Sequence, residues 1–430
     1  MKILIIAYFF PPQNVIASLR PYSWAKYFYE QGHEITVATI KHNKRADDLN
    51  YDISNFKIIQ ETYWIPFRKV NTSVISNEYS NNKKESSFDR VYKTLKNVTQ
   101  QYISSSGILY GTRYPDLRMN WVRKILNKLK SESFDVVIST GCPYIVHSIA
   151  YKLKKKNPNL FWVLDWRDLW TQNSNFLGLK IFHRHEKRIE RTYHNTCDFI
   201  TTISDGLQES LQQITTKDIH VIYNGYNPDE YAFLYKRERK KNSRLTIAYL
   251  GTLYKGFRDP EPLLIAIKDL INEKKLSQDD INLIFAGYNS DIKDIVKKYQ
   301  LEDCYKYLGA VTREKSLEIQ YDADILLFLE SEHKTKGILT GKLFEYLSLG
   351  RKIWAIGIEN SNSAGELIVK SNIGICLGTS NVKIKNAIIS ALSEDRYIEK
   401  DRNPIVAFYE RNRQAQILLD LIKEKKKICK

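Results

Sequence analysis

Near the C-terminal third of the chain the sequence reads Thr335-Lys-Gly-Ile-Leu-Thr-Gly-Lys-Leu-Phe-Glu-Tyr-Leu-Ser-Leu-Gly350. The apolar runs on either side, residues 323–329 and 352–357, are typical of buried β-strands. Between them, Phe344 and three leucines give a short helix an apolar face, and this helix would begin near Thr340. The order strand, helix, strand predicts one βαβ unit of a parallel sheet.

The first turns of this helix hold a cation and a carboxylate, Lys342 and Glu345, on the same side. A helix N-terminus offers free backbone N–H groups and favours anions. A carboxylate just behind it suits a partner with hydroxyl donors, so a phosphate in front and a ribose beside it would satisfy both groups. The alternative is a helix packed between two strands, with both charged side chains in solvent.

Strands and helices alternate along the rest of the chain in two blocks. Strand, loop, helix and strand over Lys2–Thr39 begin a doubly wound sheet, whose ligands bind at the carboxyl ends of the strands. The first loop lacks the glycines of a dinucleotide fingerprint, which argues against a Rossmann dehydrogenase. A second sheet begins near Thr246, after the charged stretch Arg237–Arg244. The fold class expected is therefore α/β, with two doubly wound βαβ domains.

The domain limits follow from the same pattern. We expect an N-terminal domain over residues 1–215, a C-terminal domain over 216–406, and a basic helix over 407–430 that crosses back to the first domain. Residues 43–106 are polar and irregular, and they indicate an insertion with one amphipathic helix near Phe88–Tyr102.

The net charge of the 430 residues is +17, from 66 Lys and Arg against 49 Asp and Glu. Residues 1–215 hold 30 of these cations and 19 of the anions, so the excess is concentrated in the first half. Basic helices are expected over 121–130, 152–156 and 178–191. Such a surface indicates an anionic partner, either acidic lipid, phosphorylated substrate or nucleic acid.

The five cysteines are scattered and show no metal-ligand spacing. They indicate free thiols in a reducing compartment, so the expected location is cytoplasmic, peripheral on the inner face of the cell membrane if the basic helices rest on lipid. The sequence offers no metal site.

A second candidate site is Asp165-Trp-Arg-Asp-Leu-Trp170, which directly follows the predicted strand Phe161–Leu164. Three charges and two tryptophans at the carboxyl end of a strand indicate a functional loop. The alternative is an Asp–Arg ion pair that only holds the loop in place.

Taken together, the motifs resemble those of GT-B glycosyltransferases, especially glycosyltransferase family 4, in both order and spacing. The resemblance is greatest to a subgroup with Asp-x-Arg-Asp-x-Trp and Lys-Leu-Phe-Glu-Tyr motifs. It spans nearly the whole chain except the insertion. The motifs that carry it are Tyr8-Phe-Phe-Pro-Pro12, Gly32-His-Glu34, Ser139-Thr-Gly-Cys-Pro-Tyr-Ile-Val-His147, Asp165–Trp170, Thr202-Ile-Ser204, Val221-Ile-Tyr-Asn-Gly225, Gly251-Thr252, Phe285-Ala-Gly287, Leu308-Gly309 and Lys342-Leu-Phe-Glu-Tyr346.

The resemblance implies two Rossmann-like domains that face a central cleft, with a nucleotide-sugar donor held by the C-terminal domain and the acceptor by the N-terminal one. It implies that Glu345 binds the ribose hydroxyls and that the start of its helix faces the diphosphate. It also implies a cationic clamp at the diphosphate, because the leaving group gains negative charge in the transition state. The donor-binding residues expected on this basis are Gly251, Thr252, Lys255, Arg258, Thr340, Gly341, Lys342 and Glu345.

The catalytic residues implied by the resemblance are Asp168 and Arg167, at the sugar or acceptor end of the cleft, with His147 behind them. A histidine on the helix after a strand is as often a packing residue. Many family members carry a further glutamate eight positions before the one at 345, but this chain has Gly337 there. Lys336, Thr340 and Lys342 could substitute for it.

The function expected is transfer of a sugar from a UDP- or GDP-sugar to a glycan or lipid-diphosphate-linked acceptor in surface polysaccharide biosynthesis. The resemblance implies retention of anomeric configuration, without a metal or a tightly bound cofactor. The leaving phosphate oxygen would help take the acceptor proton, with Asp168 as the alternative base. Two alternatives are a GT-B-fold nucleotide-sugar epimerase, which needs acid/base groups on both sugar faces, and a basic nucleic-acid-binding protein.

Overall fold

Two parallel sheets form the framework of this computed structural model, which describes residues 1–43, 49–62, 106–108, 111–173, 178–253, 258–287, 291–330, 339–394 and 404–428. The chain divides into two units. Unit 1 comprises Met1–Thr202, Leu207–Val221 and Ile422–Lys430, and unit 2 comprises Ile203–Gly206 and Ile222–Leu421. The predicted class, two α/β domains with parallel sheets, is confirmed.

Unit 1 contains a seven-stranded sheet in the order β3-β2-β1-β4-β5-β6-β7. Its central strands are buried along almost their whole length, as expected for strands covered by helices on both faces. The strands are β1 Lys2–Ala7, β2 Glu34–Ile40, β3 Lys57–Glu61, β4 Val136–Gly141, β5 Phe161–Trp166, β6 Phe199–Thr202 and β7 Ile219–Val221. The helices are α1 Ile16–Glu30, α2 Met119–Lys128, α3 Val146–Lys156, α4 His183–Thr196 and α5 Asp205–Gln212.

Unit 2 contains a six-stranded sheet in the order β10-β9-β8-β11-β12-β13, with a hydrophobic cluster on each face. The strands are β8 Leu245–Leu250, β9 Ile281–Ala286, β10 Tyr305–Tyr307, β11 Ile325–Leu329, β12 Lys352–Ile356 and β13 Gly374–Gly378. The helices are α6 Glu261–Asn272, α7 Ile292–Lys298, α8 Arg313–Asp322, α9 Gly341–Leu349, α10 Ser363–Lys370, α11 Asn381–Ser393, α12 Pro404–Phe408 and α13 Arg411–Ile428.

Each sheet has one topological switch point, where the strand order reverses direction. In unit 1 it lies between β1 and β4, which pair in parallel from Ile3 opposite Val136. In unit 2 it lies between β8 and β11, which pair from Ile247 opposite Ile325. Ligands of doubly wound sheets bind beyond the carboxyl ends of the strands at such points. The loops that follow these four strands are therefore where a site is expected.

The insertion contains a strand that the sequence pattern did not predict. Lys57–Glu61 pairs in parallel with β2, from Thr36 opposite Lys57 to Ile40 opposite Glu61. The prediction of irregular structure over 43–106 is therefore wrong for these residues. This edge strand is short and has only two apolar residues, so it lacks the run that marks a buried strand. The helix predicted near Phe88–Tyr102 lies outside the described residues.

The final helix is interrupted. A single helix was expected over residues 407–430, whereas α12 ends at Phe408 and α13 begins at Arg411. The backbone of the interruption pairs with the turn at Gly225, since the Tyr226 N–H donates to the Tyr409 carbonyl at 3.0 Å. Gly225 has a φ of +59°, and a Cβ there would overlap the Tyr409 carbonyl oxygen. Only glycine fits this close approach.

Two further features bear on function. Of the tryptophans in the described residues, five lie in unit 1, while Trp354 lies on β12 in unit 2. Among the helices described, none combines the length and apolar character needed to cross a bilayer.

Candidate active site

The switch point of unit 2 brings together the start of α9 and the loops after β8 and β11. Gly251 directly follows β8 and has a φ of +145°. A Cβ at this position would overlap the Lys342 ammonium group, so the glycine makes room for the lysine. Glu330 directly follows β11, and its backbone N–H donates to the Ile356 carbonyl at 3.2 Å.

Lys342 lies in a partly buried position over an aromatic ring. Its Nζ is 4.0 Å from the centroid of the Tyr249 ring, close enough for a cation–π interaction. Burial and the nearby charge of Arg258 lower the pKa of Lys342 to about 7, against the opposing influence of Glu330 and Glu345. The ammonium is thus held where a further negative charge would stabilise it.

Arg258 and Glu330 form an ion pair beside Lys342, with 3.2 Å between the arginine Nη2 and the glutamate Oε1. Glu330 is only 6% exposed. Its other oxygen, Oε2, is buried and has no hydrogen-bond partner in the described part of the chain. Burial raises the pKa of Glu330, and the charges of Arg258 and Lys342 oppose that shift. Sequence reasoning missed Glu330 because it ends an otherwise apolar strand.

The start of α9 has the features of an anion site. Thr340 is the N-cap residue, in extended conformation, and Gly341 is the first helical residue. The Thr340 hydroxyl is buried and does not cap the helix or bond to another described residue. The first N–H groups of a helix lack intrahelical acceptors, so this end can accept an anion.

Glu345 already has an ionic partner. Its Oε1 accepts a hydrogen bond from Arg313 Nη1 at 2.7 Å. Arg313 Nη2 also donates to Glu230 at 2.9 Å, and Glu230 in turn accepts from Arg411 at 2.8 Å. Glu345 is 7% exposed overall. No local motif marks Glu230, Arg313 or Arg411, because they come together only in the folded unit.

Two further residues predicted to bind the donor are Thr252 and Lys255. The Thr252 carbonyl accepts from the Tyr249 hydroxyl at 2.9 Å, which fixes the loop after Gly251. Lys255 lies outside the described residues. Its predicted contact with the diphosphate therefore remains a prediction.

In unit 1, Asp165 forms an ion pair with an arginine, which was the alternative considered for its loop. The partner is Arg20 and not Arg167 of the same loop. Arg20 Nη2 donates to the carboxylate at 2.7 Å, and the hydroxyls of Thr140 and Thr201 donate at 2.6 and 2.7 Å. Burial alone would raise the pKa of Asp165, but these partners outweigh it and lower the pKa below its usual value. Sequence reasoning did not identify Arg20.

Arg167 connects loops through backbone carbonyls. Its Nε, Nη1 and Nη2 donate to the carbonyls of Gly141, Ala17 and Cys142 at 2.7, 2.9 and 3.0 Å. The guanidinium thereby ties the loop that follows β5 to the start of α1 and to the end of β4, at the switch point of unit 1. These contacts favour a positioning role for Arg167.

Asp168 is the carboxylate of this loop that reaches solvent. Desolvation by the surrounding protein nevertheless raises its pKa, and the Arg167 charge opposes the shift. Asp168 is therefore available to a substrate, whereas Asp165 is not.

His147 is fully buried, and its Nδ1 lies 2.9 Å from the Ser139 hydroxyl. Its ring packs on Trp166, with 4.5 Å between the centroids. Burial lowers the pKa of His147 to about 3, so the ring is neutral near pH 7. These contacts favour the packing alternative for this histidine.

Comparison with known proteins agrees with the resemblance seen in the sequence motifs. Residues 21–230 match the sequence model of Glycosyltransferase Family 4. No curated protein sequence matches the chain.

Solved structures resemble the chain over almost its full length. The sucrose-phosphate synthase of Thermosynechococcus elongatus has a TM-score of 0.61 at 12% identity, over 99% of both chains. A glycosyltransferase from Rickettsia africae has a TM-score of 0.61 at 13% identity, over 99% of this chain and 98% of its own. WaaG, a glycosyltransferase involved in lipopolysaccharide biosynthesis, has a TM-score of 0.52 at 15% identity, over 99% and 98%. At such identities the likeness shows the fold. The chain therefore has the GT-B fold of these structures, and its residues 21–230 form a glycosyltransferase family 4 domain.

Proposed function

We propose that this glycosyltransferase moves a sugar from a UDP- or GDP-sugar to a glycan or lipid-diphosphate-linked acceptor in surface polysaccharide assembly. The observation that carries the proposal is the pair of cations at the switch point of unit 2. Lys342 and Arg258 lie beside Gly251 and the start of α9, and the carboxylate of Glu345 follows one turn later. A diphosphate matches the cations and the helix N-terminus, and ribose hydroxyls match the carboxylate.

The chemistry proposed is a same-face displacement with retention of configuration. The bond between the sugar C1 and the diphosphate oxygen breaks, and the acceptor oxygen forms its bond to C1 on that same face. The acceptor proton passes to the leaving oxygen, and the cations stabilise the charge that this oxygen develops. Two fixed cations can take the place of a metal ion in this role. Asp168 is the alternative base, since it is the carboxylate of its loop that reaches solvent.

A membrane-associated acceptor is supported by the surface of unit 1. Helix α3 packs against both α2 and α4, so their exposed cations lie on one side of the sheet. Ile181, just before α4, is 81% exposed and is flanked by the exposed Lys180 and Arg184. Exposed cations around an exposed apolar side chain suit an anionic lipid surface. WaaG, which shares the fold, is by its description involved in lipopolysaccharide biosynthesis.

The donor is tested by a thermal-shift screen with UDP, GDP, ADP and their sugars. We expect stabilisation by one nucleotide and its sugars, and release of the nucleoside diphosphate once an acceptor is present. Conversion of the donor sugar without an acceptor would instead indicate an epimerase. No shift with any nucleotide, together with tight oligonucleotide binding, would reject a nucleotide-sugar enzyme.

Replacement of Glu345 tests the ribose contact. Glu345→Ala should weaken nucleotide binding roughly tenfold or more, because hydrogen bonds to a charged acceptor are lost. The variant should stay folded, since Arg313 keeps Glu230 as a partner. Glu366→Ala, which removes an exposed carboxylate from α10 of the same unit, is the matched control and should bind normally. If Glu345→Ala binds as the wild type does, the assignment of α9 is wrong.

A further inference from the structure

We infer that Glu330 contacts the sugar of the donor and contributes to the choice of sugar. This inference rests on the proposed function, because it assumes that a nucleotide sugar binds at the switch point of unit 2. Glu330 was not among the residues that the sequence singled out.

The buried Glu330 carboxylate has one paired and one unpaired oxygen among the described residues. Glu330 is 6% exposed and fixed at the end of β11, where its N–H bonds to β12. Oε1 pairs with Arg258, while Oε2 is buried without a hydrogen-bond partner in the described residues. A buried acceptor without a donor is costly, so most such groups in native proteins are satisfied. A ligand that brings a donor would remove this cost.

The surroundings of Glu330 determine which part of a nucleotide sugar can donate a hydrogen bond to it. The cations beside Glu330, Arg258 and Lys342, are the ones proposed to bind the diphosphate. The diphosphate of a nucleotide sugar is a diester with no hydrogen to donate near neutral pH, and a carboxylate repels it. The ribose is assigned to Glu345. The remaining part of a nucleotide sugar that is attached to the diphosphate and carries hydroxyl donors is the transferred sugar.

A simple counterion role makes a different prediction, which separates the two possibilities. If Glu330 only neutralised Arg258 and Lys342, its removal would relieve repulsion, most for the more highly charged free diphosphate, and by the same amount in Glu330→Gln and Glu330→Ala. If Glu330 also accepts a sugar hydroxyl, Glu330→Gln, which keeps an acceptor oxygen, should bind the nucleotide sugar more tightly relative to the diphosphate than Glu330→Ala does. The informative quantity is therefore the ratio of the two dissociation constants.

The experiment compares Glu330→Gln and Glu330→Ala with the wild type by calorimetry, using UDP with UDP-glucose and GDP with GDP-mannose. For the base that binds, the dissociation constant of the nucleotide sugar divided by that of the diphosphate should be about tenfold higher in Glu330→Ala than in Glu330→Gln, which keeps an acceptor oxygen. The control is Glu394→Gln, which breaks an exposed pair with Lys352. Lys352 begins β12 and so lies at the amino ends of the strands, whereas Glu330 lies at the carboxyl ends, and the control should leave the ratio unchanged.

The same ratio in both Glu330 variants, with normal thermal stability, would overturn this inference while leaving the proposed function intact. If the wild type binds none of these ligands, both the inference and the proposed function fail.

Steady-state kinetics with two donors tests the same contact independently of the binding measurements. In the variants, kcat/KM for the best donor should fall relative to that of a donor lacking the contacted hydroxyl, so discrimination between sugars narrows.

Discussion

Lys342 illustrates how much of a residue's role in a site can be predicted from the sequence. A cation and a carboxylate one turn apart at a helix start are visible in the sequence, and they predicted an anion site. The sequence did not show the Tyr249 ring beneath the ammonium, nor that Gly251 leaves space for it. These contacts depend on β8 lying beside β11, and such pairing is a property of the whole sheet.

The pKa of Lys342 predicts pH-dependent donor binding. Its amine loses its proton as the pH rises through about 7 in the unliganded protein, and a diphosphate binds the protonated form better. The dissociation constant of the donor should therefore rise about tenfold between pH 6 and 8. The measurement is calorimetry with a nucleotide sugar, whose diphosphate diester does not itself titrate near neutral pH.

Lys342→Arg is the matched control, because arginine stays charged throughout this range. Its binding should be independent of pH, and proton uptake on binding at pH 8 should occur only in the wild type. A wild type whose affinity is the same at pH 6 and 8 would show that this amine does not contact the diphosphate.

Helix α13 is the element whose role the sequence predicted least well. Its amphipathic pattern predicted a helix, but the break before it depends on the contact between Tyr409 and the turn at Gly225. Its first residue, Arg411, pairs with Glu230, and both side chains are less than 10% exposed. Through Glu230 and Arg313, the start of this helix is connected to Glu345 on α9.

Arg411→Met should destabilise unit 2 by about 3 kcal/mol, because it leaves a buried carboxylate short of a partner. Urea denaturation followed by circular dichroism measures this change. Arg413→Met is the control on the same helix, since Arg413 is exposed and bonds to Gln416, and it should cost about 0.5 kcal/mol or less. Adding Glu230→Gln to Arg411→Met should recover part of the loss. Equal effects of Arg411→Met and Arg413→Met would argue against this pair as a stabilising contact.

For the whole molecule, the excess of positive charge predicts binding to anionic membranes. Vesicles containing phosphatidylserine should sediment with the protein at low salt but not at about 0.5 M salt, where the screening length is only a few ångströms. Lys187→Gln with Arg191→Gln on α4 should weaken partitioning roughly thirtyfold, at about 1 kcal/mol per charge. Lys315→Gln in unit 2 is the control. If the wild type ignores anionic vesicles at low salt, the membrane part of the proposed function fails.

The two parallel sheets were predictable because strands such as β1 and β11 contain continuous apolar runs and are followed by helical patterns. Strand β3 was not predictable, since its place is set by pairing with β2 and not by its own residues. The helix start at Thr340–Gly341 was predictable from local sequence. The ion pairs of Glu345 and Asp165 were not, because their arginines lie 32 residues before and 145 residues before them.

The placement of the tryptophans makes the two units optically distinct. Of the indoles in the described residues, five belong to unit 1, and Trp354 of unit 2 is buried on β12. Intrinsic fluorescence thus reports mainly on unit 1, whereas far-ultraviolet dichroism reports on both. Unfolding curves recorded by the two signals can therefore assign a ligand to its unit: a molecule held by unit 2 alone would shift the dichroism curve and leave most of the emission change in place.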